Sequence, residues 1–211
     1  MNIHADFSQK AVVNTHEAPW LPSPMAGVHR KPLDRIGDEV AIATTIVSYA
    51  PNSSFPKHAH PAGEEILVSA GMYLRNPPNS SHTPYSKEGC TIFVKLRQFH
   101  PDDSATIRID TKNTAWYPGL VPGLSVMPLH EFDGVGTALV RWAPNTIFNP
   151  HVHPGGEEIL VLEGVFHDEH GSYPSGTWIR SPRYSTHKPF TKSEGALIYV
   201  KTGHLNHKLD R

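Results

Sequence analysis

The feature that most constrains this chain is an internal repeat. The segment HAHPAGEEILV at residues 58–68 recurs as HVHPGGEEILV at residues 151–161, with nine of eleven residues identical and an offset of 93. Further residues recur in the same order around it, at an offset of 96 before the segment and 105 after it. Self-similarity of this kind indicates two copies of one structural unit. The 211 residues therefore predict two small domains rather than one large domain.

The repeat also predicts where the domains meet. The first copy is expected to span residues 1–100 and the second residues 101–211. Residues 97–106, RQFHPDDSAT, interrupt the apolar pattern with polar and turn residues, so this segment is the predicted linker.

The apolar runs within each copy are short and rich in β-branched and aromatic residues, which favour strands. Examples are VAIATTIVSY, EEILV and TIFVKL in the first copy, and TALVRW, EEILVLEGVF and ALIYVK in the second. Twenty prolines and sixteen glycines separate such runs, and no stretch has a sustained helical period with caps at both ends. The sequence therefore predicts an all-β sandwich or barrel in each copy.

Charge and cysteine content exclude several classes of partner. The formal net charge is -1 and the basic residues are scattered, so we expect no nucleic-acid and no anionic-membrane partner. Cys90 is the only cysteine, which excludes an intramolecular disulfide and a multi-cysteine zinc site. No apolar run approaches the ~18 residues of a membrane helix, and the N-terminal residues lack a signal-peptide pattern. We therefore expect a cytoplasmic protein.

Four residues of the second copy have the types and spacing of a metal site. Successive side chains of a strand point to opposite faces, so His151 and His153 share one face and lie ~7 Å apart along it. Residues 154–156, Pro-Gly-Gly, then break the strand, which allows Glu157 to turn back towards the histidines. His187 arrives from a later strand. We predict that these four residues bind one metal ion.

The same four positions exist in the first copy, as His58, His60, Glu64 and His82. Three imidazoles and a carboxylate suit a divalent cation such as zinc, iron, manganese, nickel or copper. The adjacent Glu65 and Glu158 are alternatives for the carboxylate, but Glu64 and Glu157 lie one residue closer to the histidines and are preferred. A single His-x-His pair commonly lies on the surface or in the core without binding a metal, so the prediction depends on the complete set occurring twice.

These motifs resemble those of the cupin family. The pattern H-x-H-x3-E, followed by Gly164 and then by Gly176-x5-Pro182-x4-His187, is similar to the two cupin motifs, and the resemblance extends over both copies. More narrowly, EEILVLEGVFHDEHGSYPSGTWIRSP resembles the C-terminal cupin of ChrR-type anti-sigma factors. The resemblance implies an all-β fold of two cupin barrels in tandem, of the jelly-roll or double-stranded β-helix type. It also implies one metal ion in a barrel, commonly zinc, on the four residues named above.

The same resemblance bears on protein partners. ChrR-type regulators hold their sigma factor with a separate N-terminal helical module, which carries its own zinc on a histidine and two closely spaced cysteines. Residues 1–211 contain no such module, and Cys90 is the only cysteine. We therefore do not expect this chain to bind a sigma factor.

Two functions remain open from the sequence. The preferred one is a non-catalytic, sensory or regulatory metal-binding protein, in which four ligands close a tetrahedral shell on zinc. The alternative is a small-molecule metalloenzyme of the cupin dioxygenase type, in which iron or another six-coordinate metal keeps positions open for substrate and oxygen. No further acid or base points to one reaction class, which favours the first function. A small-molecule ligand and a homodimer formed through exposed strand edges are further expectations.

The repeat breaks at one place. Its offset rises from 93 at Val68 to 105 at Gly71, so residues 163–174, EGVFHDEHGSYP, have no counterpart in the first copy. Loss of two strands beside a metal site would expose the barrel interior, whereas hairpin tips are commonly disordered. We therefore expect that a loop next to Ser69 and Ala70 is missing from the sequence, rather than that the first hairpin is short.

Overall fold

The fold is built entirely from strands and turns in the part of the chain that the structure describes. A computed structural model describes residues 1–38 and 40–205, and within them it contains twenty-one β-strands and no helix. Accordingly, no helix in these residues is long and apolar enough to cross a membrane. The all-β prediction is confirmed.

The strands are short, as expected for a chain punctuated by proline and glycine. In chain order they are β1 (Ala11–Asn14), β2 (Leu21–Pro22), β3 (Val28–Ile36), β4 (Ile42–Tyr49), β5 (Ser53–Ser54), β6 (His58–His60), β7 (Glu64–Val68), β8 (Met72–Asn76), β9 (Ser80–His82), β10 (Tyr85–Ser86), β11 (Cys90–Leu96), β12 (Ile107–Asp110), β13 (Tyr117–Pro118), β14 (Leu124–Phe132), β15 (Val135–Trp142), β16 (His151–His153), β17 (Glu157–Asp168), β18 (Gly171–Pro174), β19 (Thr177–Ser181), β20 (Ser185–His187) and β21 (Ala196–Thr202).

These strands form two compact units. Of the described residues, unit 1 contains 1–5, 18–38 and 40–114, and unit 2 contains 6–17 and 115–205. The large sheet of unit 1 has the order β12-β8-β7-β11-β4-β3-β2, with the short pairs β5–β10 and β6–β9 beside it. The large sheet of unit 2 has the order β1-β19-β17-β21-β15-β14-β13, with β18 on β17 and the short pair β16–β20.

The core of unit 1 lies on the same sheet face as a predicted metal ligand. Ile92 pairs with Val47, and Val94 pairs with Ile66, so these buried side chains share a face of the sheet. Glu64 lies two residues before Ile66 on β7 and therefore points to that face as well. Strand alternation thus places core residues and the carboxylate in one interior.

Each unit receives its edge strand from the start of the other repeat. Strand β1, in the first repeat, pairs with β19, whereas β12, in the second repeat, pairs with β8. Ala11 and Ile107 lie 96 residues apart, so these two strands are equivalent in the repeat. The predicted boundary between residues 100 and 101 divides the sequence repeats. It does not coincide with the spatial units, because β1 belongs to unit 2 and β12 belongs to unit 1.

The missing-loop prediction is wrong. Strands β7 and β8 form a continuous hairpin in which Val68 pairs with Met72, and the Gly71 N–H donates to the Val68 carbonyl at 2.9 Å. Gly71 has φ +98°, a conformation that favours glycine at the end of a three-residue hairpin loop. A turn of three residues therefore closes the hairpin of the first repeat. The corresponding hairpin of the second repeat is twelve residues longer.

Candidate metal centres

The four residues predicted in the second repeat lie together in unit 2. Strands β16 and β20 pair with His151 opposite His187, which places both rings on one face. The His187 Nε2 atom lies 3.2 Å from His151 Nε2 and 3.1 Å from His153 Nε2. The Glu157 carboxylate approaches to 3.4 Å from His153 Nε2 and 3.6 Å from His187 Nε2.

A sharp turn brings the glutamate back to the histidines. Gly156 has φ +75°, and its N–H donates to the His153 carbonyl at 3.0 Å. A Cβ atom at Gly156 would lie 2.6 Å from Leu205, so a side chain there would need both strain and a displaced neighbour. The reversal starts β17 at Glu157, four residues after His153.

The residues predicted in the first repeat lie together in the same way in unit 1. His58 lies opposite His82 in the β6–β9 pair, and the rings of His58, His60 and His82 have centroids 4.7 to 4.8 Å apart. One oxygen of Glu64 lies 3.5 Å from the Nε2 atoms of both His60 and His82. We call the set in unit 1 the first cluster and the set in unit 2 the second cluster.

The donor set of both clusters fits a divalent metal ion. In each cluster, one possible ligand atom from every residue lies within 4.8 Å of the others. In the first cluster, the Nε2 atoms of His60 and His82 are buried and have no hydrogen-bond partner. Buried polar atoms are normally paired, so these nitrogens indicate a ligand that the protein alone does not supply.

Hydrogen bonds at the opposite ring nitrogen fix two of the histidine tautomers. The Nδ1 atom of His58 lies 2.9 Å from the Pro56 carbonyl, and that of His151 lies 2.9 Å from the Asn149 carbonyl. A carbonyl can only accept, so Nδ1 carries the proton and Nε2 presents a lone pair towards the cluster.

The electrostatics of both clusters favour neutral histidines. Burial, together with the neighbouring histidines, lowers the pKa of His153 to about 3 and that of His60 to about 4. Burial also raises the pKa of Glu157 to about 7. Neutral imidazole is the form that binds metal, and a nearby cation would favour the ionised carboxylate.

The alternative glutamates lie outside the clusters. Glu65 accepts a hydrogen bond from the Tyr73 hydroxyl at 3.1 Å and lies 3.4 Å from the Arg75 guanidinium. Glu158 accepts from the Trp178 indole N–H at 2.8 Å. Strand alternation turns both side chains to the opposite face of their sheets, where they pair with other buried polar groups.

The glutamate of the first cluster has a supporting chain of hydrogen bonds. The Asn76 amide donates to Glu64 at 2.8 Å, and Arg108 donates to the Asn76 oxygen at 2.5 Å. Asn76 lies opposite Glu64 in the sheet, whereas Ser181 lies opposite Glu157. Glu64 and Glu157 therefore have different neighbours in the sheet, although each belongs to a cluster with three histidines.

The second cluster has an additional carboxylate that the sequence analysis did not single out. Asp168 lies 3.9 Å from His187 Nδ1 and accepts hydrogen bonds from the Tyr173 hydroxyl and two main-chain N–H groups. Burial alone would raise the pKa of Asp168, but the contact with His187, these hydrogen bonds and Lys10 lower it overall. A carboxylate behind a ligand histidine orients the ring and raises its basicity. The sequence feature that could have pointed to Asp168 is the insertion that contains it, residues 163–174.

A cavity of about 800 Å³ adjoins the first cluster in unit 1, and all four cluster residues are part of its wall. Most of the remaining wall is apolar and includes Val47, Ile66 and Ile92. Glu64 and Val68 both line it, and four residues of strand span about 13 Å. A cavity of this size holds a small organic molecule.

In unit 2 the insertion places aromatic side chains beside the second cluster. The buried Phe166 ring lies 5.5 Å from that of Trp142 and 6.3 Å from that of His187. Trp142 pairs with Ala196, as Tyr49 pairs with Cys90 in unit 1, so the tryptophan occupies the position of a cavity-lining tyrosine. Unit 2 therefore has a packed aromatic core at positions that line the cavity in unit 1.

The sequence matches one family model in both copies. The model, described as the ChrR cupin-like domain, matches residues 8–100 and 104–206. The predicted family resemblance is confirmed. No curated protein matches the sequence.

Similar solved structures are cupins and enzymes of low sequence identity. A proposed dioxygenase from Nostoc punctiforme has a TM-score of 0.71 at 18% identity, covering 95% of this chain and 85% of the other. A cupin 2 conserved barrel protein from Leptotrichia buccalis has 0.59 at 13%, covering 90% and 95%. An oxalate decarboxylase from Lactobacillus farciminis has 0.63 at 10%, covering 91% and 86%. These similarities establish the fold, two cupin barrels in tandem.

Proposed function

We propose that this chain, which belongs to the ChrR cupin-like family, is a metalloenzyme that acts on a small organic molecule at the first cluster. The observation that carries the proposal is the cavity of about 800 Å³ whose wall contains all four residues of that cluster. A substrate in the cavity would lie next to the ion. This is the alternative of the two functions that the sequence leaves open.

The residues around the first cluster have the properties that such a site needs. His58, His60, Glu64 and His82 would hold the ion, which when bound would supply Lewis-acid or redox chemistry. Asn76 orients the Glu64 carboxylate, and the largely apolar wall offers a surface for the apolar part of a substrate. Among similar structures, a proposed dioxygenase and an oxalate decarboxylase are enzymes by name, which is consistent with this proposal.

The metal is part of the proposal. The family resemblance favours zinc, while three nitrogen donors and one oxygen donor also suit iron, manganese or nickel. Elemental analysis of protein purified without added metal would identify the ion and its amount per chain.

Open coordination at the first cluster can be tested with nitric oxide. The chain reconstituted with Fe(II) should give the EPR signal of an iron–nitrosyl complex. The matched variants His58→Ala and His151→Ala each remove one ligand from one cluster, and we expect the signal to disappear only in His58→Ala. A signal lost only in His151→Ala, or absent from the unmodified protein, would contradict the proposal.

A second function is favoured for the second cluster by the residues of the insertion. Asp168 supports His187 from behind, and Phe166 packs beside the same ring. We propose that this cluster holds a structural, non-catalytic ion, which is the function that the sequence analysis preferred for the whole chain. Mild chelation should therefore remove the ion of the first cluster before that of the second. The opposite order, read from metal content in the His58→Ala and His151→Ala variants, would contradict this assignment.

A further inference from the structure

The cavity of unit 1 contains an arginine whose position is fixed by sheet register. Arg30 on β3 pairs with Val47 on β4, and side chains of paired residues lie on the same face. Val47 belongs to the buried core, and both residues line the cavity. The side chain of Arg30, which is partly exposed, therefore borders a largely apolar wall.

Arg30 has no acidic partner in the described part of the chain. Among residues 1–38 and 40–205, no carboxylate oxygen lies within 4.0 Å of its guanidinium nitrogens, whereas Arg75 contacts both Glu65 and Asp103. A guanidinium in apolar surroundings is stabilised by an anion that accepts from its planar fork of donors. The cavity can admit such an anion as a ligand.

The second repeat has no cation at the equivalent positions. Register places Val126 where the first repeat has Arg30, since Val126 pairs with Val140 as Arg30 pairs with Val47. Arg97 also contributes to the cavity wall, directly after β11. It has φ +59°, a conformation that favours glycine, and its equivalent in the second repeat is Gly203.

The charges around the cavity favour an anionic ligand. Glu64 is the sole carboxylate among the described wall residues, and it would be neutralised by a bound cation. The positive charges of Arg30 and Arg97 then have no carboxylate left among the described wall residues to neutralise them. Burial raises the pKa of the wall residue Tyr49 to about 12, in keeping with an interior shielded from water.

We propose that this cavity binds an organic carboxylate with an apolar body, and that Arg30 binds its carboxylate group. The apolar body would lie along Val47, Ile66 and Ile92, with the remainder of the molecule near the first cluster. An organic carboxylate would then be the substrate class of the proposed enzyme, which rests on the proposed function. Binding itself can be measured without turnover.

The test is calorimetric titration of the zinc-loaded, full-length chain with straight-chain carboxylates from acetate to octanoate, and with octanol. Affinity should rise about fourfold for each buried methylene. Arg30→Val, which introduces the residue type of the second repeat, should weaken octanoate binding about 10- to 100-fold and leave octanol binding unchanged. Arg30→Lys should retain part of the affinity.

A matched control uses an arginine of unit 2. Arg141 is exposed and stacks on Trp116, with its guanidinium 4.3 Å from the ring centre, so Arg141→Val should not change octanoate binding. Equal octanoate affinity in Arg30→Val and the unmodified chain would overturn the proposal, as would octanol binding as tight as octanoate binding. If the nitrosyl signal of the first cluster persists while no carboxylate binds, only the ligand class is wrong. If both are absent, the proposed function fails as well.

Discussion

Replacing Glu157 with glutamine should stabilise the metal-free protein at pH 8 and have little effect at pH 4. Burial raises the pKa of Glu157 to about 7, from an ordinary value of 4.5. The folded protein therefore holds this proton more tightly than the unfolded chain does. The cost to stability is absent below pH 4.5, grows between pH 4.5 and 7, and is complete above pH 7.

The size of the effect follows from the change in pKa. A change from 4.5 to about 7 corresponds to about 3 kcal/mol of unfolding free energy, which glutamine should recover because it carries no charge. His153 acts with the opposite sign, since burial lowers its pKa to about 3 and its cost appears as the pH falls below 6.5. That histidine is present in both proteins, so the difference between them isolates Glu157.

Urea unfolding of the EDTA-treated proteins from pH 4 to pH 8 would measure the difference. Glu64→Gln is the matched control, and its effect should be smaller because the Asn76 hydrogen bond opposes the rise in the Glu64 pKa. With zinc bound, Glu157→Gln should instead be destabilising, because a ligand is lost and binding to the folded state adds stability. A stability difference that stays constant between pH 4.5 and 7 would refute the reasoning.

Three further predictions concern unit 2. His151→Ala should lower metal content and melting temperature together, and an unchanged melting temperature in a variant depleted of metal would show that the ion does not stabilise the fold. Phe166→Ala should cost about 3 to 5 kcal/mol in urea unfolding, because it empties a fully buried site, whereas Tyr85→Ala at an exposed position should cost little. Asp168→Asn should weaken zinc binding at the second cluster about 10- to 100-fold in a chelator competition performed in the His58→Ala background, and equal affinity would exclude a supporting role for this carboxylate.

The cluster residues could be predicted because their signals are local. The alternation of a strand places His151 and His153 on one face, and the Pro-Gly-Gly segment, residues 154–156, signals the turn that returns Glu157. The same pattern of residues occurs in both repeats, so the prediction of a metal site in one repeat supported the prediction in the other. The choice of Glu64 over Glu65 also depended on position alone, and the structure places Glu64 in the cluster.

The exchange of edge strands could not be predicted, because pairing partners distant in the sequence leave no local signal. Nothing in the residues of β1 indicates that it pairs with β19 rather than with a strand of its own repeat. The error at Ser69 and Ala70 had a different cause. The missing-loop prediction assumed that the long hairpin is the complete form, whereas Gly71 allows a three-residue turn to close the shorter one.

One segment accounts for several of the differences between the surroundings of the two clusters. Residues 163–174 provide Phe166, which packs against the second cluster, and Asp168, which lies behind His187. Where these residues are absent, β7 and β8 end in a short turn, and the interior beside the first cluster remains a cavity. Two sets of four residues of the same types in the same order could therefore serve different purposes, because the walls around a metal site determine whether a further molecule can reach it.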